Sequence, residues 1–224
     1  MYDSVRAAFR GFNEPFEGVV HWMYLDVRGL VTIGVGNLID PVEAALALPF
    51  RSSTAPDAVA TSAQISDEWR RIKGDPTLAL KGYKACEGIT QLRLDDAAVN
   101  ALIGSRLLQN EANLRERPAF AAFESWPADA QLGLLSMAWA LGAGGLSTFA
   151  RFSAACEKQD FSGAASECTI NDQGNAGVAP RNQANRILFS NAAAVRLTPG
   201  YDPTHLYYPQ KLSAGPPQGP TAAS

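Results

Sequence analysis

Phe16-Glu17-Gly18-Val19-Val20-His21-Trp22-Met23-Tyr24-Leu25-Asp26-Val27-Arg28-Gly29-Leu30-Val31-Thr32-Ile33-Gly34-Val35-Gly36-Asn37-Leu38 decides the reading of the chain. It reads as the end of a helix running into a β-hairpin. Residues 21–26 are aromatic or large and apolar up to the closing Asp26, the make-up of a half-buried strand. Val27-Arg28-Gly29 is a short turn in which Gly29 can take positive φ. Residues 30–35 return as the second strand, and Gly34 and Gly36 end it. Side chains alternate across a strand, so Trp22, Tyr24 and Asp26 share one face. The turn length sets Asp26 opposite Leu30 and Tyr24 opposite Thr32. Asp26 and Thr32 are then diagonal neighbours, and Glu17 stands at the mouth of the hairpin.

A glutamate, an aspartate and a hydroxyl gathered in a sheet cleft are equipment for glycoside hydrolysis. One carboxylic acid protonates the leaving oxygen, and one carboxylate handles water or the sugar cation. The two carboxylates alone decide little, since such a pair also occurs on ordinary surface hairpins. The glycines and Thr32 carry the further weight.

Glu17, eight residues, Asp26, five residues, Thr32 and then Ile33-Gly34-Val35-Gly36 resembles the catalytic signature of the phage-type lysozymes, glycoside hydrolase family 24. That family has a Glu–Asp–Thr triad at this spacing, with Glu-Gly at its start and Thr-Ile-Gly-x-Gly at its end. The resemblance implies that Glu17 is the general acid and that Asp26 and Thr32 position the attacking water. One position departs: the family usually has histidine after the last glycine, where this chain has Asn37. Tyr24, Arg181 and Asn37 stand as substrate-binding candidates. Arg181 comes from Arg181-Asn182-Gln183-Ala184-Asn185-Arg186, which looks like the family's final arginine-bearing helix. Relatives often have two adjacent arginines and a glutamate three residues on. Here Asn182 and Asn185 take those places, so only Arg181 carries over, and the resemblance sets it near the acid.

Composition is that of a soluble enzyme: 224 residues, 46% hydrophobic, 18% charged, net charge −3. No basic stripe or tail marks a nucleic-acid binder. The slight negative charge gives weak steering toward an anionic cell wall. Cys86, Cys156 and Cys168 have no metal spacing and read as free, partly buried thiols. His21 and His205 have no ligand spacing either, so no metal or organic cofactor is expected. Met1-Tyr2-Asp3-Ser4 does not open a signal peptide, and no apolar run is long enough to span a membrane. A wall enzyme made this way stays in the cytoplasm until a holin, a secretion machine or a phage particle releases it to the periplasm.

Val5, Ala8, Phe9, Phe12 and Phe16 recur at helical spacing, which predicts a helix over 3–17 with a kink or restart at Pro15. Its end places Glu17 where apolar neighbours would suit a proton donor. Asp40-Pro41 starts a helix through Leu48. Residues 50–63 read as a loop, and Ser66 caps a short helix to Lys73, broken by Gly74-Asp75-Pro76. Trp69 on it reads as packing. Leu94-Asp95-Asp96 opens a long helix to about Leu114 on the stripe Ala98, Val99, Leu102, Ile103, Leu107 and Leu108. An apolar helix follows from Pro127 to Leu141, ended by Gly142, and the stretch from Asp160 to Ala165 resembles the family's helix start before the last lobe turn. Tyr201 to Pro209 is expected to fold back over the helical part, and residues 211–224 read as a flexible tail.

The expected fold is mainly α (α+β): a two-lobed lysozyme-like domain over 1–210. The resemblance covers roughly 3–196 and is sharp only at 16–38. It implies an N-terminal lobe over about 15–94 with a β-hairpin sheet, a connecting helix over about 95–114 and a helical lobe over about 115–200. The implied reaction is hydrolysis of the β-1,4 bond between N-acetylmuramic acid and N-acetylglucosamine. A lytic transglycosylase and a non-catalytic wall-binding or phage structural protein are the rival readings. A phage endolysin, a tail lysin and an antagonistic effector domain all fit as settings. Expected partners are peptidoglycan glycan strands, with an immunity protein or a secretion or phage component as a further candidate. Neither nucleic acid nor membrane is expected as a partner, and the expected state is a monomer.

Overall fold

The computed structural model describes residues 1–171 and 178–213. The chain is mainly helical with a small antiparallel sheet. It divides into two compact units: residues 13–106, and residues 1–12 together with the chain from Leu107 on. Both boundaries fall inside helices.

The first helix, α1 (Asp3–Glu17), continues through Pro15 rather than restarting there. Pro15 gives up the one hydrogen bond that its missing N–H would make to Gly11 O, and the helix ends two residues later. Gly18 ends the helix at φ +70°, its N–H reaching Glu14 O at 2.8 Å, a left-handed cap that suits glycine. Residues 13–17 of α1 belong to the unit that holds the sheet. That sheet is β1 (Val20–Leu25), β2 (Val31–Gly34) and β3 (Asn37–Leu38), antiparallel in that order. The register pairs Tyr24 with Thr32 and Leu25 with Val31, as the turn length predicts. A bulge between Val20 and Tyr24 shifts the remainder. Met23 and Leu25 face the core, while Trp22 and Tyr24 are half-buried on the other face.

The short strands were not legible. β3 makes the hairpin a three-stranded sheet. After α2 (Val42–Leu46), shorter than expected, β4 (Arg51–Ser52) lies in the stretch read as a loop. A strand of two residues shows no periodicity to read. The next helix, α3 (Ser62–Lys73), starts four residues before the predicted Ser66. Thr61 and Gln64 close a reciprocal capping box there. Two short helices follow, α4 (Leu78–Lys81) and α5 (Tyr83–Glu87), then β5 (Leu92–Arg93), which pairs with β4. Buried Glu68 of α3 accepts the N–H groups of Gln91 and Leu92 at 2.6 and 3.1 Å and so fixes β5. Burial pushes that carboxyl up from its usual range. Trp69 packs as expected, its Nε1 donating to Ile39 O at 2.8 Å.

The long helix α6 (Asp96–Arg115) starts where predicted, with Asp95 Oδ1 accepting Ala98 N–H at 2.8 Å. Val99, Ile103 and Leu107 of its stripe are buried. Leu108 is half exposed, because the residue after Leu107 turns about 100° away from the stripe. The unit boundary falls inside α6, between Arg106 and Leu107.

The other unit holds α7 (Ala128–Gly145), α8 (Ala150–Glu157), α9 (Phe161–Glu167) and α10 (Val178–Leu197). Gly142 breaks the helical path of α7 at φ +74°, where the helix end was expected. Asp160 caps α9 through Gly163 N–H. Phe120, Phe123, Trp126, Phe152, Phe161 and Phe189 form an aromatic core. Phe9 of the predicted α1 stripe sits 4.9 Å from Trp139, ring to ring. All three cysteines are free and buried.

Residues 201–210 fold back onto this unit, as expected. Fully buried Asp129 holds them, accepting Tyr207 N–H, Tyr208 N–H and Asn191 Nδ2 at 2.8–3.1 Å. Leu212 N–H donates to Asn191 Oδ1; residues 214–224 of the expected tail lie outside the described residues. Asp129→Ala takes the acceptor from two part-buried backbone donors, Tyr207 N–H and Tyr208 N–H, and leaves Asn191 Nδ2 with Gln210 O alone. We expect it to cost about 2–4 kcal/mol in denaturant unfolding and to open 201–210 to protease.

Candidate functional site

Four of the predicted site residues meet on one face of the sheet unit. Tyr24 and Thr32 are cross-strand partners, and Asp26 follows two residues beyond Tyr24 on the same face. Asp26 is fixed by the turn it precedes. Its Oδ1 accepts both Arg28 N–H and Leu30 N–H at 2.9 Å, and its backbone N–H donates to Leu30 O. Oδ2 lies 3.7 Å from the exposed Arg28 guanidinium, and the side chain keeps 23% of its surface. One oxygen therefore anchors the hairpin while the other faces outward.

Thr32 is almost fully buried, and its Oγ1 donates to Leu30 O at 3.1 Å. The hydroxyl proton is spent on the backbone, which leaves the oxygen as an acceptor. Tyr24 reports on the neighbourhood. Burial pushes its phenol up to about 12, and the Glu17 and Asp26 carboxylates push the same way. Arg106 opposes them. The phenol thus stays protonated through the neutral range, close enough to both carboxylates to feel each.

Glu17 is exposed at the end of α1, with polar groups near its carboxylate. Glu17 Oε2 stands 4.0 Å, and Arg106 Nη1 3.9 Å, from the point a Cβ on Gly36 would occupy. Gly36 takes φ +78°, and the lack of a side chain leaves the space beside both groups open.

Arg106 was missed in the sequence. It stands at helical spacing from Val99, Leu102 and Ile103, so a lone cation on the apolar stripe of α6 was the available signal. Asn37 is buried, its Oδ1 accepting Val35 N–H at 3.3 Å and its Nδ2 donating to Leu102 O at 3.5 Å, so its amide braces the β2–β3 turn on α6. Arg181 belongs to the other unit. It is buried on α10, where Nη1 donates to Ser136 O and Oγ at 3.2 and 3.3 Å. Among the described residues, no cluster of histidine, cysteine and carboxylate side chains could hold a metal ion.

No protein-family model matches the chain, and no curated protein matches it.

Proposed function

We propose that the chain is a peptidoglycan hydrolase of the lysozyme type, with the two-lobed lysozyme-like arrangement. It cleaves the β-1,4 bond between N-acetylmuramic acid and N-acetylglucosamine. The observation that supports this most is geometric: Tyr24 and Thr32 are cross-strand partners with Asp26 two residues on, and the Glu17 carboxylate stands beside the turn glycine Gly36 of the same sheet. Two carboxylates around one strand face, with a hydroxyl as cross-strand neighbour, are a general acid and a water-handling base. Glu17 gives its proton to the leaving glycosidic oxygen. Asp26 Oδ2 takes a proton from the attacking water, since Oδ1 is committed to the turn. Thr32 Oγ1 accepts the other hydrogen of that water. Tyr24 remains a phenol and donates to a sugar oxygen. Arg181 enters this reading only through the family resemblance.

An inverting displacement fits these roles better than a retaining one. Inverting enzymes hold their carboxyl groups about 6.5–9.5 Å apart to admit water, and retaining ones about 5–5.5 Å. A nucleophilic Asp26 would have no use for a hydroxyl that holds water beside it. Peptidoglycan strands digested with the purified protein should therefore yield reducing ends by mass spectrometry, with the α-anomer first in proton NMR. Anhydro ends would make the protein a lytic transglycosylase. A β-anomer appearing first would make Asp26 a nucleophile, and no cleavage would leave a wall-binding or phage structural protein. Among the described residues no helix is long and apolar enough to cross a membrane. The chain acts in this reading on the periplasmic wall, as an endolysin, a tail lysin or a secreted effector domain.

A further inference from the structure

Arg106 stands in a place that ordinary helix packing does not explain. It comes from the half-buried stripe of α6, among Val99, Leu102, Ile103 and Leu107. Desolvating a guanidinium is costly unless its charge and donors are answered. Two answers are visible. Nη1 donates to Gly36 O at 2.7 Å, which ties α6 to the β2–β3 turn. The Glu17 carboxylate lies across the open space above Gly36. Burial draws the guanidinium down from its ordinary value, and the charge of Glu17 works against that.

Glu17 itself sits at the carbonyl end of α1, where the helix dipole disfavours negative charge. The last turn of α1 carries no basic residue to offset it. A cation fixed from another element supplies what that turn lacks. We propose that Arg106 is the positioning residue of the site: anchored on Gly36 O, its charge holds the Glu17 carboxylate toward the substrate face. Gly36 is part of the device. A side chain there would stand about 4 Å from both groups and strain a left-handed backbone.

The proposal rests on the hydrolase reading for its kinetic consequence and on geometry for its contact, so the test reads both. Arg106→Gln keeps a donor for Gly36 O and removes the charge; Arg106→Lys keeps the charge on a shorter, non-planar head. On soluble glycan strands, Arg106→Gln should lower kcat about tenfold or more with KM within about twofold, and Arg106→Lys should recover at least about a third of kcat. The carboxyl carbon resonance of Glu17, assigned by its loss in Glu17→Gln, should be displaced in Arg106→Gln and return toward wild type in Arg106→Lys. Circular dichroism and the unfolding midpoint check that each variant folds. A folded Arg106→Gln with unchanged kcat, or with Glu17's resonance unmoved, overturns the assignment. A KM-only effect overturns it also, since it would make Arg106 a substrate contact. An inert wild type sinks the hydrolase reading alone, and the resonance then decides the contact. If Arg106→Gln does not fold, Arg106→Lys and Arg106→Met are compared in the same way, and equal effects overturn the role of charge.

Discussion

Glu17→Gln should abolish wall lysis while the fold stays intact. The amide has the shape of the acid but cannot deliver a proton to the leaving glycosidic oxygen, and a general acid contributes about 10²–10⁴-fold to such a step. Clearing of outer-membrane-permeabilised Gram-negative cells should fall about a thousandfold. Stability should move by less than about 0.5 kcal/mol, because Glu17 is an exposed residue at a helix end. The cap on Gly18 uses Glu14 O and does not involve the Glu17 side chain. An amide removes the negative charge at the carbonyl end of α1, which is favourable, and also the charge that answers Arg106, which is not, so the two effects oppose each other. Near wild-type clearing by a folded Glu17→Gln would remove Glu17 from the chemistry. It would leave the Tyr24 face as a binding surface at most.

What was legible in the sequence follows the strength of local signals. The hairpin was readable because alternation, a glycine turn and a fixed turn length agree over the same short stretch, and the Tyr24–Thr32 pairing follows. α6 and α7 were readable from a cap and a glycine, Asp95 and Gly142, each doing what its residue type predicts, and the start of α9 at Asp160 was legible through the family resemblance. β3, β4 and β5 were not, since strands of two residues are set by tertiary pairing. The start of α3 was missed because Ser62, Ala63 and Gln64 continue the small and polar composition of the preceding stretch and hide the capping box of Thr61 and Gln64. In the site, residue types showed which groups could do chemistry but not which were committed elsewhere. Asn37 looked available and is spent on a turn. Arg106 drew no reading at all, and it stands across Gly36 from Glu17. Charge partners brought from distant elements leave no pattern within a local window.

Asp26→Asn and Asp26→Ala should separate, and the separation tells chemistry from scaffold. Asp26 has two roles on its two oxygens. Oδ1 accepts Arg28 N–H and Leu30 N–H and so closes the hairpin turn; Oδ2 carries the outward charge. Asparagine keeps a carbonyl oxygen for both backbone donors, so the turn survives. The lost contact to Arg28 is a 3.7 Å pair on an exposed guanidinium, worth about 0–1 kcal/mol. The chemistry is nonetheless disabled in Asp26→Asn, because an amide cannot take the proton of the attacking water. Asp26→Asn should therefore unfold within about 1 kcal/mol of wild type while glycan cleavage falls about 10²–10³-fold. Asp26→Ala removes the acceptor as well. The turn is partly open to water, which replaces some of the lost bonding, so we expect a further cost of about 1–2 kcal/mol. Its activity should be no lower than that of Asp26→Asn beyond the fraction unfolded. If Asp26 served only the turn, the order would reverse: Asp26→Asn would clear cells like wild type, and Asp26→Ala alone would be impaired. Activity and denaturant midpoints measured on the same preparations distinguish the two cases. A fully active Asp26→Asn would leave Thr32 with no base to serve, and the water-placing half of the site would have to be abandoned.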